Sequence, residues 1–214
     1  MSMTEEFLKT GTTIIGLVCK DGVVMASDKR STAGGMVAHK KVLKLVQIAD
    51  NMIVAYAGLV SDAQLIARLI RAEIKLKDIQ TGRPTTVKEA ANLLAGMQYS
   101  LIRRPSMVPG IVACLLSGAD VEGYQLYNLG IDGSVTFKDD YDSEGSGSIY
   151  AIGVLEAQYK KNMSIDEGIE VAVKALNAAL QRDIATGNGC DVWVVTEKGV
   201  KQVIHKEIDT GIRL

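Results

Sequence analysis

The chain has 214 residues, of which 47% are hydrophobic and 23% are charged, and its formal net charge is -1. This composition is that of a globular domain rather than a disordered chain, and the near-neutral charge gives no basic surface for a nucleic-acid partner. No stretch approaches the roughly 18 consecutive apolar residues of a membrane helix, and the polar opening segment lacks the apolar core of a secretory signal.

The first half of the chain predicts two pairs of strands followed by two helices. Short apolar runs rich in β-branched residues predict strands at 12–19, 22–28, 42–48 and 52–57. Helical spacing of apolar residues predicts a helix at 60–78, with a second from Thr85 or Thr86 to about 102. The apolar positions that define the first helix are Ala63, Leu65, Ile66, Leu69, Ile70, Ile74 and Leu76.

The second half repeats this order and ends on a strand pair. Strands are predicted at 111–116, 124–129, 135–137, 191–196 and 201–205. Two helices lie between them, one around 150–160 and one at 165–182, and the second begins with a capping box of Ser164 and Glu167. Because hairpin turns join neighbouring strands and the helices come in pairs, we expect a single α+β domain of mainly antiparallel sheets with helices outside.

The cysteines and histidines do not predict a metal site. Cys19, Cys114 and Cys190 form neither a metal-ligand cluster nor an even disulfide set, and His39 and His205 have no second ligand at suitable spacing. We therefore expect reduced, buried thiols in a cytoplasmic protein that needs no metal or other cofactor.

The junction between the polar leader and the first apolar strand reads Thr10-Gly11-Thr12-Thr13. Cleavage of the Gly11–Thr12 bond would give Thr12 a free amine with a pKa of roughly 7.7–8, able to act as general base for its own hydroxyl. Gly11 suits self-cleavage because it lacks a Cβ and lets the Thr12 oxygen approach its carbonyl. The alternative is that these residues simply begin an edge strand.

Several motifs occur in order along the chain: TGTTIIG, ASDKRST, KVLKL, AGLVSDAQ, GSGS and QRDIATGNGCDV. Together they resemble β-type subunits of the proteasome core particle, of the archaeal kind, and the resemblance covers essentially the whole chain from Gly11 onward. It implies a four-layer αββα sandwich, the fold of the N-terminal nucleophile hydrolases, and a threonine endopeptidase that degrades unfolded proteins to peptides.

The resemblance also implies roles for individual residues. Thr12 matches the nucleophile, Lys44 the catalytic lysine, and Asp28 the carboxylate that keeps this lysine charged and oriented. Without Thr12, Asp28 and Lys44 would be read as a structural ion pair between strands. Gly58 matches the donor of the oxyanion hole, although it is equally a turn glycine between a strand and a helix.

Three further residues match the support of the nucleophile. Ser146 corresponds to a serine near the threonine amine, although GSGS alone is typical of a flexible loop. Asp183 matches a supporting aspartate, whose position alone would read as a helix terminus. Thr186 stands where the family usually has serine, and its extra methyl group could reposition the hydroxyl.

Four residues match the substrate-binding positions of the family: Ser31, Thr32, Val42 and Tyr56. Tyr56 corresponds to the floor of the pocket for the residue before the cut, and a bulky uncharged floor favours apolar side chains. The alternative is that Tyr56 is only a core aromatic. Thr32 is expected to contribute backbone hydrogen bonds that align the substrate as an added strand.

The resemblance implies a propeptide at 1–11, removed on maturation, and a single peptidase domain at 12–214. It also implies a seven-membered β ring, of one or several β types, stacked on a second β ring and on rings of α-type subunits. An ATP-dependent unfoldase would feed unfolded proteins to it. Two alternatives remain open: a non-catalytic ring subunit that is not self-processed, and an amidase of the same fold that acts on a small amide.

Overall fold

The computed structural model describes residues 11–208 and contains two five-stranded sheets. The first sheet has the strand order β10-β1-β2-β11-β12. Its strands are β1 (Ile14–Cys19), β2 (Gly22–Asp28), β10 (Tyr141–Glu144), β11 (Gly189–Thr196) and β12 (Gly199–Glu207). Strands β1 and β2 lie in the middle and are almost wholly buried, as their continuous apolar sequence predicts.

The second sheet has the order β5-β6-β7-β8-β9. Its strands are β5 (Leu45–Ala49), β6 (Met52–Gly58), β7 (Val112–Asp120), β8 (Gly123–Leu129) and β9 (Val135–Lys138). A separate hairpin of β3 (Ser31–Ala33) and β4 (Met36–His39) follows β2. Within residues 11–208 all the strand pairs are antiparallel.

Four helices cover the two sheets from outside: α1 (Val60–Thr81), α2 (Val87–Arg103), α3 (Ser148–Gln158) and α4 (Ile165–Arg182). Helices α1 and α2 share one apolar cluster with the second sheet, and α3 and α4 share another with the first. A third cluster fills the space between the sheets. These four layers confirm the predicted αββα sandwich.

Local sequence signals fix the beginnings of two helices. Thr86, rather than Thr85, is the N-cap of α2, and it forms a reciprocal capping box with Glu89. The predicted capping box of Ser164 and Glu167 is confirmed at the start of α4. Each box satisfies amide donors that the first helical turn leaves without partners.

The predicted order of strands and helices is confirmed, but the prediction missed three strands of the described chain. Strands β3 and β4 are only three and four residues long, and β4 is exposed throughout. Strand β10 is a short edge strand with two acidic residues, so it lacks an apolar run. The strand predicted at 42–48 begins only at Leu45, because the Val42 N–H instead donates a hydrogen bond to the carbonyl oxygen of Lys29.

The predicted apolar face of α1 was too wide. Three of its leucines, Leu65, Leu69 and Leu76, are more than two-fifths exposed. The buried stripe is instead Ile66, Ala67, Ile70 and Ile74, because the helix rests on the sheet through this narrower face. The prediction of buried thiols holds for Cys19 and Cys114 but was wrong for Cys190, which is half-buried. None of the helices in residues 11–208 is long and apolar enough to cross a membrane.

Candidate active site

Thr12 lies between two pockets, just before β1. The larger has a volume of about 790 Å³ and the smaller about 470 Å³, and Gly11, Thr12 and Gly58 line both. Thr12 itself is only 5% exposed. Loops that leave both sheets therefore converge on the residue that the sequence identified as the candidate nucleophile.

The backbone nitrogen of Thr12 is held by a serine at the start of α3. The Thr12 N–H donates to Ser146 Oγ at 3.2 Å, and the Ser146 hydroxyl lies 2.6 Å from Asp183 Oδ2, to which it donates. Because the single hydroxyl proton of Ser146 points at Asp183, its lone pairs face Thr12. Asp183 also accepts a hydrogen bond from the Ala185 N–H at 3.2 Å, which fixes the loop after α4.

Thr186 extends this network to a residue that sequence reasoning missed. Its hydroxyl donates to the same Asp183 carboxylate, and it lies 2.7 Å from the hydroxyl of Thr13. Since the proton of Thr186 is directed at Asp183, Thr13 must be the donor of this second bond. The threonine at 186 thus makes the contact with Asp183, and its methyl group does not turn the hydroxyl away.

Asp28 lies at the end of β2 with no exposed surface, and its carboxylate is fully hydrogen-bonded. Oδ1 accepts from Lys44 Nζ at 2.6 Å and from the Thr13 N–H at 3.0 Å. Oδ2 accepts from the backbone amides of Arg30 at 2.9 Å and Gly187 at 3.0 Å. Four donors match the roughly four lone-pair sites of a carboxylate, so Asp28 joins the lysine to the loops around Thr12.

Lys44 is 5% exposed and lines the larger pocket together with Thr12. Burial lowers the pKa of its ammonium group below the usual 10.5, and the Asp28 carboxylate opposes this shift without reversing it. Lys44 is therefore readier to release a proton than a solvent-exposed lysine, while its short contact with Asp28 keeps its Nζ in one place.

Two glycines are required by close packing near Thr12. Gly58 has a φ of +138°, and a Cβ there would lie 2.1 Å from the carbonyl oxygen of Ile111. A Cβ on Gly11 would lie 1.8 Å from Ala185 Cβ and 2.9 Å from Ser146 Oγ. Both positions therefore exclude any larger residue without a local rearrangement.

The four predicted substrate-binding residues divide between the two pockets. Ser31, Val42 and Tyr56 line the larger pocket, and Thr32 lines the smaller. The side chain of Thr32 has a contact that the sequence did not predict, because its Oγ1 accepts a hydrogen bond from the Gly11 N–H at 3.0 Å. The backbone hydrogen bonds from Thr32 to the substrate stay a prediction. The structure thus brings all the predicted site residues to one region of the molecule.

Sequence reasoning missed the backbone donors to Asp28 and the hydroxyl of Thr13. Backbone amides have no sequence signal, and Thr13 is concealed because its side chain alone is typical of any strand. Within the described residues, no group of three or more histidine, cysteine, aspartate or glutamate side chains is arranged to hold a metal ion.

Comparison with known proteins gives concordant results. A family model described as proteasome subunit matches residues 8–195. Proteasome subunit beta of Archaeoglobus fulgidus is 41% identical over 209 residues, which cover 98% of this chain and 96% of the relative. Proteasome subunit beta of Methanocaldococcus jannaschii is 40% identical over 200 residues, covering 93% and 88%. Proteasome subunit beta 2 of Pyrococcus abyssi is 37% identical over 213 residues, covering 100% and 99%.

Proposed function

The chain belongs to the proteasome subunit family, and from this premise we propose that it is a threonine endopeptidase of the proteasome core. It would be made as a precursor and would cut its own Gly11–Thr12 bond, leaving residues 12–214 as a single peptidase domain. The observation that carries this proposal is the bond from the Thr12 nitrogen to Ser146, beside a buried Lys44–Asp28 pair.

Self-cleavage would begin with attack of Thr12 Oγ on the Gly11 carbonyl carbon. The hydroxyl proton passes to the Thr12 nitrogen as the Gly11–Thr12 amide breaks, which leaves an ester between Gly11 and Thr12 Oγ. Water then hydrolyses this ester and releases the propeptide with a C-terminal carboxylate on Gly11. Support comes from the packing of Gly11 against Ala185 and from its bond to Thr32, which together hold the residue beside Thr12.

In the mature enzyme the free amine of Thr12 would act as the general base. One N–H of this amine would donate to Ser146 Oγ, as the Thr12 amide N–H does at 3.2 Å, and its lone pair would then be free to accept the proton of Thr12 Oγ as that oxygen attacks a substrate carbonyl. The Gly58 N–H would stabilise the oxyanion, and such donors typically contribute about 3–4 kcal/mol to lowering the barrier. The amine then protonates the leaving nitrogen through one bridging water in the substrate complex. A second water hydrolyses the ester.

Lys44 would lower the energy of the developing Thr12 alkoxide. A cation beside the hydroxyl favours its deprotonated form, and Asp28 holds Nζ in position through its 2.6 Å contact.

The relatives bear the name proteasome subunit beta, and we extend the assembly that this name implies to our chain. The chain would form a seven-membered β ring, stacked on a second β ring and on α-subunit rings in the cytoplasm. An ATP-dependent unfoldase would deliver unfolded protein substrates to it. In such a particle the propeptide would keep Thr12 inactive until the rings are assembled.

The deciding experiment is the intact mass of the subunit in assembled particles, for the wild type and for Thr12→Ala. We expect the wild type to lack residues 1–11 and to hydrolyse peptides, while the variant keeps them and is inactive. Assembled wild-type particles that retain residues 1–11 would instead favour a non-catalytic ring subunit. A small native mass together with hydrolysis of small amides would favour an amidase of the same fold.

A further inference from the structure

A second buried ion pair begins one residue after Asp28. Lys29 Nζ lies 2.8 Å from Asp191 Oδ2, and only 2% and 1% of the two side chains are exposed. The proposed reaction uses neither residue, and Lys29 borders neither pocket. Removing two charges from water is costly, and well-packed apolar residues are often as stable, so stability alone does not account for this pair.

The Asp191 carboxylate has two further partners, both on β12. Its Oδ1 accepts a hydrogen bond from Gln202 Nε2 at 3.0 Å and lies 2.6 Å from His205 Nδ1. Since an ionised carboxylate can only accept, the proton of this second bond belongs to His205 Nδ1. Three donors from two chain segments therefore hold Asp191 in one orientation toward Lys29.

His205 is the part of this network that reaches solvent. Its side chain is 50% exposed, and Nε2 lies 3.9 Å from Glu207 Oε1. In the described part of the chain, the charged groups within 4 Å of the imidazole are Asp191 and Glu207, which are paired in turn with Lys29 and Lys41. A proton can bind Nε2 while Nδ1 keeps its bond to Asp191.

The backbone of Lys29 joins two segments that carry site residues. Its N–H donates to the Gly187 carbonyl at 3.1 Å, and its own carbonyl accepts from the Val42 N–H at 2.9 Å. Gly187 lies in the loop that supports the Thr12 nitrogen, and Val42 stands two residues before Lys44. A displacement of Lys29 would therefore move both the loop and the lysine relative to Thr12.

We propose that Lys29 is a positioning residue for the reaction, held by Asp191, whose carboxylate His205 in turn orients. The inference rests on the proposed function, which makes Thr12 and Lys44 the reacting and stabilising groups. An ammonium group fixed inside the protein limits the movement of the backbone that carries it, and two segments of the site are bonded to that backbone. Because Lys29 borders neither pocket, its loss affects kcat and not KM.

The test uses mature assembled particles and a short fluorogenic peptide with an apolar residue before the cut. Lys29→Met removes the charge but leaves Asp191 two donors, so we expect the variant to fold and assemble. At about pH 8 its kcat should fall about tenfold with KM unchanged, and Lys29→Arg, which keeps a cation, should restore most of the rate. Lys161→Met, which breaks an exposed pair with Asp139, is the control and should match the wild type.

The pH dependence of this loss distinguishes the charge network from a general loss of packing. Histidine usually titrates near about pH 6.5, so in Lys29→Met a protonated His205 can supply the missing positive charge to Asp191. The ratio of kcat between this variant and the wild type should rise about threefold as the pH falls from about 8.5 to about 6. The rise should be absent in Lys29→Met/His205→Gln, which keeps a hydrogen-bond donor but no charge.

Asp191→Asn is a second and milder test, because its amide oxygen can still accept from Lys29. Its kcat should fall about threefold with KM unchanged, since a bond between two charged groups is roughly twice as strong as a neutral one. Wild-type kcat in Lys29→Met and Asp191→Asn, or a loss in Lys29→Met that is constant with pH, would overturn the inference and leave the proposed function intact. Wild-type particles that keep residues 1–11 and cleave no peptide would overturn both.

Discussion

The hydroxyl oxygens of Thr13 and Thr186 lie 2.7 Å apart, and this contact ends a chain of hydrogen bonds that begins at the Thr12 nitrogen. From Thr12 the chain passes through Ser146 and Asp183 to Thr186. Each hydroxyl has one proton and can donate one hydrogen bond. Ser146 and Thr186 donate to the Asp183 carboxylate, and Thr13 donates to Thr186, so the donors on both sides of the network point toward Asp183. The residue after the proposed nucleophile thus helps to fix the group that holds the nucleophile's nitrogen.

Removal of the Thr13 hydroxyl should lower kcat more than it changes KM. In Thr13→Val the shape is kept but Thr186 loses a donor, and one hydrogen bond of about 1 kcal/mol corresponds to roughly a fivefold loss. Thr13→Ser should restore the rate. Ser27→Ala is the control, because the Ser27 hydroxyl is buried on the neighbouring strand without a partner in the described chain. Equal kcat in Thr13→Val and the wild type would exclude this positioning role.

Substitution of Lys44 and substitution of Asp28 should have different effects, the first mainly on activity and the second mainly on folding stability. Lys44→Met removes the ammonium but leaves Asp28 with its three backbone donors, from Thr13, Arg30 and Gly187. We therefore expect the variant to fold and assemble, with peptide hydrolysis about a hundredfold lower or worse. Asp28→Ala leaves those three amides and the buried lysine without an acceptor, and should cost about 3–5 kcal/mol of folding stability.

The measurements for this pair are urea denaturation of the subunit and peptidase assays on assembled particles. Stability that falls equally in Lys44→Met and Asp28→Ala would show that the ion pair, and not the backbone bonds, is the main role of Asp28. Full activity in Lys44→Met would exclude Lys44 from the mechanism.

Sequence patterns predicted the fold more completely than the site. Long apolar runs such as β2 and reciprocal caps such as Ser164 with Glu167 are local, so their signal survives without tertiary information. Strand β10 forms by pairing with β1, which is distant in sequence, so its local sequence does not reveal it. The spacing of apolar residues in α1 could not decide which side faces the sheet, so Leu65 was wrongly assigned to the buried face and Arg71 was not placed beside the pocket.

The capping box of α2 should make folding stability depend on pH. Two hydrogen bonds from Arg83, with further ones from Thr86 and Lys77, hold the pKa of Glu89 well below its ordinary 4.5. A carboxylate with a lowered folded-state pKa stabilises the protein above its unfolded pKa, and this contribution is lost as the pH falls below about 4.5. Because Glu89 is near the surface, we expect Glu89→Gln to cost less than about 1 kcal/mol at pH 7.

Urea denaturation at several pH values tests this prediction. The difference between the wild type and Glu89→Gln should be largest at neutral pH, should shrink as the pH falls below about 4.5, and should decrease with salt. Glu73→Gln, on an exposed position of α1, is the matched control and should show little effect. A difference between the wild type and Glu89→Gln that stays constant across this pH range would exclude the charge of Glu89 as its cause.

Gly11 should matter for processing and not for the mature enzyme. In Gly11→Ala the new methyl would meet Ala185 Cβ at 1.8 Å, so the carbonyl to be attacked must move. Since displacements of about 1 Å can cost 10²-fold in rate, we expect self-cleavage to slow by about tenfold or more. Ala185→Gly in the same chain should restore part of the rate, but only part, because Ser146 Oγ and Ala185 Cα also lie within about 3 Å of the added methyl.

Intact mass against time measures the cleavage, and particles that have lost residues 1–11 should match the wild type in kcat because the altered residue has left with the propeptide. Unchanged processing in Gly11→Ala would mean that the loop carrying Ala185 moves before the bond is cut.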